Sequence, residues 1–123
     1  MTTAPELTET DLHALVDRFY TRVRADPQIG PVFNAAVEDW DEHLATLAHF
    51  WSSVMLATGR YKGNPLAVHL RQPIEPEMFA RWLEIWGETV GEMFPPEIAA
   101  LFRAKAARIA ESLKLGLFFK PGG

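Results

Sequence analysis

Residues 11–23 read DLHALVDRFYTRV. Leu12, Leu15, Val16, Phe19, Tyr20 and Val23 recur at i, i+3, i+4, i+7, i+8 and i+11. That spacing follows one face of an α-helix and breaks the alternation a strand needs. Thr8, with Asp11 three residues on, has the form of a helix N-terminal cap. Pro27 predicts the end of the helix near Ala25–Asp26, because a residue preceding proline avoids the helical region.

The same period governs the rest of the chain. The connector DPQIGPVF holds Pro27, Gly30 and Pro31 and reads as irregular backbone, with Phe33 tucked inward after it. A second helix is predicted from about Asp39 to Thr58, with Gly59 as its C-terminal cap. Its seams are Trp40, Leu44, Leu47, Trp51 and Val54, and beside them His43, Leu47, Phe50 and Val54. A polar loop, GRYKGNP, leads into LAVHLR, at most two turns of helix with Pro65 in the first turn. Another long helix starts near Glu75 or Pro76, its face formed by Phe79, Trp82, Leu83, Trp86 and Val90. Pro95 and Pro96 break the chain again before a last helix with Ile98, Leu101, Phe102, Ala106, Ile109 and Leu113 inward. No strand pattern competes with these helices, so the class is all-α. The 123 residues make one domain, with 1–8 and 120–123 as frayed tails.

Composition excludes several classes of function. Hydrophobic residues form 48% of the chain, enough for a folded core. Twelve Lys and Arg against sixteen Asp and Glu leave a net charge of −4, and no basic stripe is present to suit nucleic acid or a membrane surface. No apolar run reaches the ~20 residues of a membrane span. The start, MTTAPELTETD, lacks the pattern of a secretory signal, which makes the cytoplasm the expected location. Without cysteine there are no disulfides, zinc thiolates or thiol catalysis.

Candidate chemistry rests on the histidines. His13 lies on the solvated edge of the first helix. His43 and His49 are six apart and point about 120° away from one another on one helix, so they do not chelate together. Neither His-Glu-x-x-His nor Glu-x-x-His occurs. Asp39, Asp41 and Glu42 read as a helix N-terminal cluster favoured by the dipole. His69 is different: it sits among Leu66, Ala67, Val68 and Leu70, just ahead of Pro73 and Pro76. Tyr20, His43 and Trp82 each place a polar tip on or beside an apolar helix face. A cavity with a metal-ligating imidazole on one wall and donors on the other would use all four, as a haem pocket does. An ordinary core accommodates them too. There His69 is a core histidine with a satisfied partner, His43 half exposed, Tyr20 an interface tyrosine, Trp82 and Trp86 filler, and Phe33 a cover over a turn. Composition and period do not decide between the two.

Order and local wording add more. RFYTRVRADPQIGPVF, DEHLATLAHFW, YKGNPLAVHL and EMFARWLEIW follow one another at spacings that resemble the truncated haemoglobins, specifically their third group. The resemblance covers about Glu9 to Phe118, and the interior lacks the Gly-Gly motifs of the other groups, as the third group does. It implies a two-over-two helical sandwich holding haem b. It implies His69 as the proximal iron ligand, with its second ring nitrogen bonded to a backbone carbonyl for which Pro65 is the candidate. It implies Tyr20, Trp82 and His43 as the distal residues, and Phe33, Leu47, Phe50, Trp51 and Phe79 as haem contacts. Arg60, Lys62 and Arg71 are the candidate partners of the haem propionates.

What the resemblance implies for function is O2 binding at a five-coordinate iron, with NO, CO or cyanide as further ligands. Tyr20 would donate to the ligand with the Trp82 N–H as second donor, and His43 would gate access or add a third contact. Three donors slow release, so chemistry on bound oxygen, such as NO detoxification or a peroxidase-like reaction, is expected over simple delivery. The 123 residues hold no reductase, so turnover would draw on an external one. A monomer is expected. The alternatives are a six-coordinate haem sensor or redox protein with His43 on the iron, and a cofactor-free helical interaction module.

Overall fold

The computed structural model of the chain describes residues 7–57 and 76–118. Five helices run through them: α1 (Glu9–Ala25), α2 (Gly30–Ala36), α3 (Trp40–Leu56), α4 (Pro76–Met93) and α5 (Pro96–Phe118). Helix α1 packs against α2, α3 and α4, and α4 packs against α5. The pairs α1–α3 and α4–α5 form the two layers of a two-over-two sandwich, joined where α1 lies on α4. Among the described residues there is no strand, and no helix is long and apolar enough to cross a membrane.

All six residues of the opening pattern are buried. The α1 cap is reciprocal: Thr8 Oγ1 accepts the Asp11 N–H at 3.2 Å, and Asp11 Oδ2 accepts the Thr8 N–H at 2.9 Å. This satisfies donors that every helix start leaves over. The core is aromatic. Trp51 and Trp86 stack with ring centroids 4.4 Å apart, Phe19 meets Trp86 edge-on at 4.8 Å, and the Trp86 N–H donates to the Phe102 carbonyl at 3.1 Å. Trp51 and Trp86 therefore bury large apolar bodies, and Trp86 keeps its polar atom paired.

The corner after α1 differs from the expected irregular connector. Gly30–Ala36 forms a short helix with Pro31 in its first turn, where a missing N–H costs nothing. Asp26 organises the corner. Its Oδ2 accepts the Gln28 and Ile29 amides, each at 3.0 Å, and its carbonyl accepts the Gly30 N–H at 2.9 Å. Its Oδ1 takes Arg81 Nε and Nη2, both at 2.8 Å. Gly30 is required by close approach: a Cβ there would lie 2.7 Å from the Arg24 carbonyl oxygen and 3.0 Å from that of Val23. Backbone cannot move aside as a side chain can, so Gly30→Ala should destabilise the fold by about 1–3 kcal/mol in urea unfolding.

Two other expectations are corrected. Helix α3 ends at Leu56, and Ala57 takes the left-handed C-cap conformation at φ 56°, ahead of the expected cap at Gly59, which lies outside the described residues. Leu101, expected inward, is 52% exposed, because the buried face of α5 is Ala99, Phe102, Ala106 and Ala110. Small residues there let α5 approach α4 closely, and Leu101 falls to the side of that contact.

Candidate functional site

A cavity of about 520 Å³ lies between α2, α3, α4 and α5, with Tyr20 of α1 in its wall. This size suits a site that encloses most of a ligand, for which about 300–1,000 Å³ is usual. Phe33, Leu47, Phe50, Phe79 and Leu113 contribute apolar surface, and Tyr20, His43 and Trp82 contribute polar tips. Helix α3 explains why the cavity exists. Leu44, Leu47, Phe50 and Val54 of its apolar seams are only half-buried, and Ala48, Trp51 and Ser52 are its fully buried residues. Leu47 and Phe50 face the cavity, while Leu44 and Val54 pack against the core.

The three polar groups converge. Tyr20 lies edge-on to His43 with ring centroids 6.1 Å apart, and Phe33 packs on the other side of Tyr20 at 5.8 Å. Trp40 braces this cluster at 6.0 Å from Tyr20 and 5.6 Å from His43, and the Arg24 guanidinium sits 4.6 Å over the Trp40 ring. The Trp82 indole lies in the same wall. Indole has a donor and no acceptor, whereas a phenol can do either. Burial pushes the Tyr20 phenol up to about 12, and the nearby Trp82 indole offsets only part of that rise. Tyr20 is therefore a neutral O–H donor across the pH range in which proteins are handled.

Trp82, expected as a second donor to a ligand, lines the cavity. Its indole is also fixed by its neighbours, 5.6 Å edge-on from Phe19 and nearly parallel to Trp86 at 5.9 Å. Trp51 lines the cavity while being 1% exposed, so it is as much core as wall.

Of the residues singled out in the sequence, Tyr20, Phe33, His43, Leu47, Phe50, Trp51, Phe79 and Trp82 are brought together around this one cavity. His69, Arg60, Lys62 and Arg71, with Pro65, lie outside the described residues. His13 and His49 are exposed. Among the described residues no group of three or more His, Asp or Glu side chains could hold a bare metal ion. Sequence reasoning missed Val32, Met78, Ile109 and Ala110 in the wall. Ile109 was legible as apolar and inward, but nothing local distinguishes an inward residue that meets a cavity from one that meets the core.

Asp26, in the corner after α1, is 6% exposed. Burial pushes its carboxyl upward, but the Arg81 hydrogen bond, the Ile29 and Gln28 amides and the Arg81 charge together hold it below the ordinary value. A lowered folded pKa contributes stability that is present above the unfolded value of about 3.9 and is lost as pH falls through the folded one. Asp26→Asn should therefore be less stable than the parent at pH 7 and at pH 5, with the gap closing only in acid below the ordinary carboxylate range. Urea unfolding at pH 7, 5 and 3 checks this.

Comparisons with known proteins bear on the same arrangement. The family model of the bacterial-like globins matches residues 7–108. The chain is 33% identical over 122 residues to the Group 3 truncated hemoglobin of Campylobacter jejuni subsp. jejuni, covering 95% of each chain. The crystal structure of the group III truncated hemoglobin from Campylobacter jejuni matches with a TM-score of 0.89 at 30% identity, over 99% of this chain and 100% of that one.

Proposed function

The chain belongs to the bacterial-like globin family, as a truncated haemoglobin of the third group, and from that premise we propose that it is a haem b protein whose cavity admits O2 and other diatomic ligands. The residues present fit such a group. A flat apolar macrocycle needs apolar walls, which Phe33, Leu47, Phe50 and Phe79 provide, and a small polar ligand needs a few donors in one place. When bound, haem supplies an iron that takes the diatomic ligand, with His69 as the protein's ligand to it.

The observation that carries this reading is the Tyr20 hydroxyl. It is buried in the cavity wall, and burial keeps the phenol neutral, so its proton is available to a ligand. A buried hydroxyl without a partner for its proton is costly, and a ligand that accepts the proton removes the cost. Phe33 and His43 hold the phenol ring from two sides, so little order has to be gained on binding. Trp82 brings a second N–H donor to the same wall. His43, half-buried in the same wall, serves as the gate to the cavity.

A strong donor of this kind retains its ligand, which favours chemistry on bound O2, namely oxidation of NO or a peroxidase-like reaction, over delivery. Turnover would then use an external reductase. The ultraviolet–visible spectrum of the purified protein tests the core of the proposal. A Soret band that shifts when CO is added to the reduced protein supports haem and an accessible ligand site. A six-coordinate low-spin spectrum without added ligand would put His43 on the iron. No Soret band after adding haem would remove the cofactor from the reading.

A further inference from the structure

We propose that Trp40 and Arg24 are positioning residues for the entrance to the cavity: Trp40 holds the His43 and Tyr20 rings against each other, and Arg24, stacked on Trp40, holds Trp40 in place. The effect on ligand entry rests on the haem reading above, with His43 as the gate; the effect on the rings does not.

Tyr20 and His43 line the cavity, and Trp40 is not part of its wall. The three rings nonetheless meet in pairs. Their centroids are 6.1 Å apart for Tyr20 and His43, 6.0 Å for Tyr20 and Trp40, and 5.6 Å for Trp40 and His43. Trp40 is thus the outer corner of a triangle whose other two corners border the cavity. Both contacts of His43 are edge-on, at 84° and 86°, the arrangement in which ring quadrupoles attract. Tyr20 and Arg24 are four residues apart on α1 and share one side of it, as Trp40 and His43, three apart, do on α3. Trp40 is therefore gripped by two residues of α1, the Tyr20 ring and the Arg24 guanidinium 4.6 Å from its centroid. This grip falls where α3 needs it. His43 lies in the first turn, where a helix has the fewest bonds of its own. Asp39 caps that turn: its carboxylate accepts the Glu42 amide at 3.2 Å and its carbonyl the His43 amide at 3.0 Å. The cap fixes the His43 backbone, and the Trp40 and Tyr20 rings bear on its imidazole. An imidazole kept between those rings stays in the wall, and one that loses Trp40 gains room to swing outward.

Two measurements test this. The first reads NMR Overhauser effects between the Tyr20 and His43 rings in the CO-bound reduced protein, which is diamagnetic. They should vanish in Trp40→Leu and weaken in Trp40→Phe and Arg24→Gln. Those between Tyr20 and Phe33, whose rings lie 5.8 Å apart, should persist in all three. The second follows CO rebinding after flash photolysis, which reads access to the cavity. Rebinding should quicken about 3–10-fold in Trp40→Leu and about 2–5-fold in Arg24→Gln. Trp40→Leu should add nothing in a His43→Leu background, and Arg24→Gln should add nothing to Trp40→Leu. An intact Tyr20–His43 signal in Trp40→Leu, an equal loss of the Tyr20–Phe33 signal, or a gain in entry that survives His43→Leu would overturn the proposal. If Trp40→Leu does not fold, Trp40→Phe and Arg24→Gln carry the same test. If the protein takes up no haem, the Overhauser effects in the haem-free protein decide the positioning of the rings, and the gating role falls with the haem reading.

Discussion

Replacing Tyr20 with Phe should speed the release of O2 by roughly 10–100-fold, the range expected for losing a hydrogen bond to a strongly polarised acceptor. The substitution keeps the ring, which packs against Phe19 at 4.7 Å and Phe33 at 5.8 Å, so the cavity wall is preserved. Trp82 offers a second N–H in the same wall, so Trp82→Phe should cost less than Tyr20→Phe, and the two losses should not add, because the groups serve one ligand. Stopped-flow displacement of O2 by CO gives the rates. Their pH dependence is a second check. A phenol pushed up to about 12 stays protonated from pH 6 to 9, so release governed by Tyr20 should be flat over that interval. A step near neutral pH would shift the main role to His43.

Trp86→Ala should produce the largest loss of stability, about 3–5 kcal/mol. Trp86 is fully buried, lies between Trp51 and Trp82 in a run of stacked rings, and touches Phe19 and Phe102 edge-on. Its removal leaves a void that both layers line and strips the Phe102 carbonyl of its donor. For a domain with a total stability of about 5–15 kcal/mol, this is a large fraction. Urea unfolding of the parent and variant measures it. Trp86→Phe should recover most of the packing, and the remaining deficit would report the hydrogen bond. A loss below about 1 kcal/mol would mean that the two layers close over the gap.

Much of this architecture was legible in the sequence, because a helix is a local pattern. The six apolar residues of α1 are the six that are buried, Thr8 and Asp11 form the reciprocal cap, and α4 begins at Pro76 as the proline rule requires. Tyr20, His43 and Trp82 could be marked as polar tips on apolar faces. Their residue types made them candidates, and their order along the chain gave the family resemblance. The helical nature of Gly30–Ala36 escaped because proline and glycine signal both a turn and a helix start.

What the sequence by itself determined, then, is where the helices lie and which side of each is apolar. Only the tertiary structure decided what each apolar side meets. On α3, His43, Leu47 and Phe50 border the cavity, Trp51 joins both cavity and core, and Leu44 and Val54 are not in the cavity wall. Ser52, a polar residue in an apolar helix, is fully buried because Glu9 accepts its hydroxyl at 2.6 Å from 43 residues away. Asp26 reads locally as a turn residue before proline, and its partner Arg81 is 55 residues distant. The meeting of Tyr20 and Trp82 in one cavity wall likewise exists only once the helices pack. Periodicity is set by a repeat of 3.6 residues and is written in every turn of the chain. Cavity walls, buried ion pairs and donor–acceptor pairings depend on distances between segments that no local repeat encodes, and they arise when the layers pack.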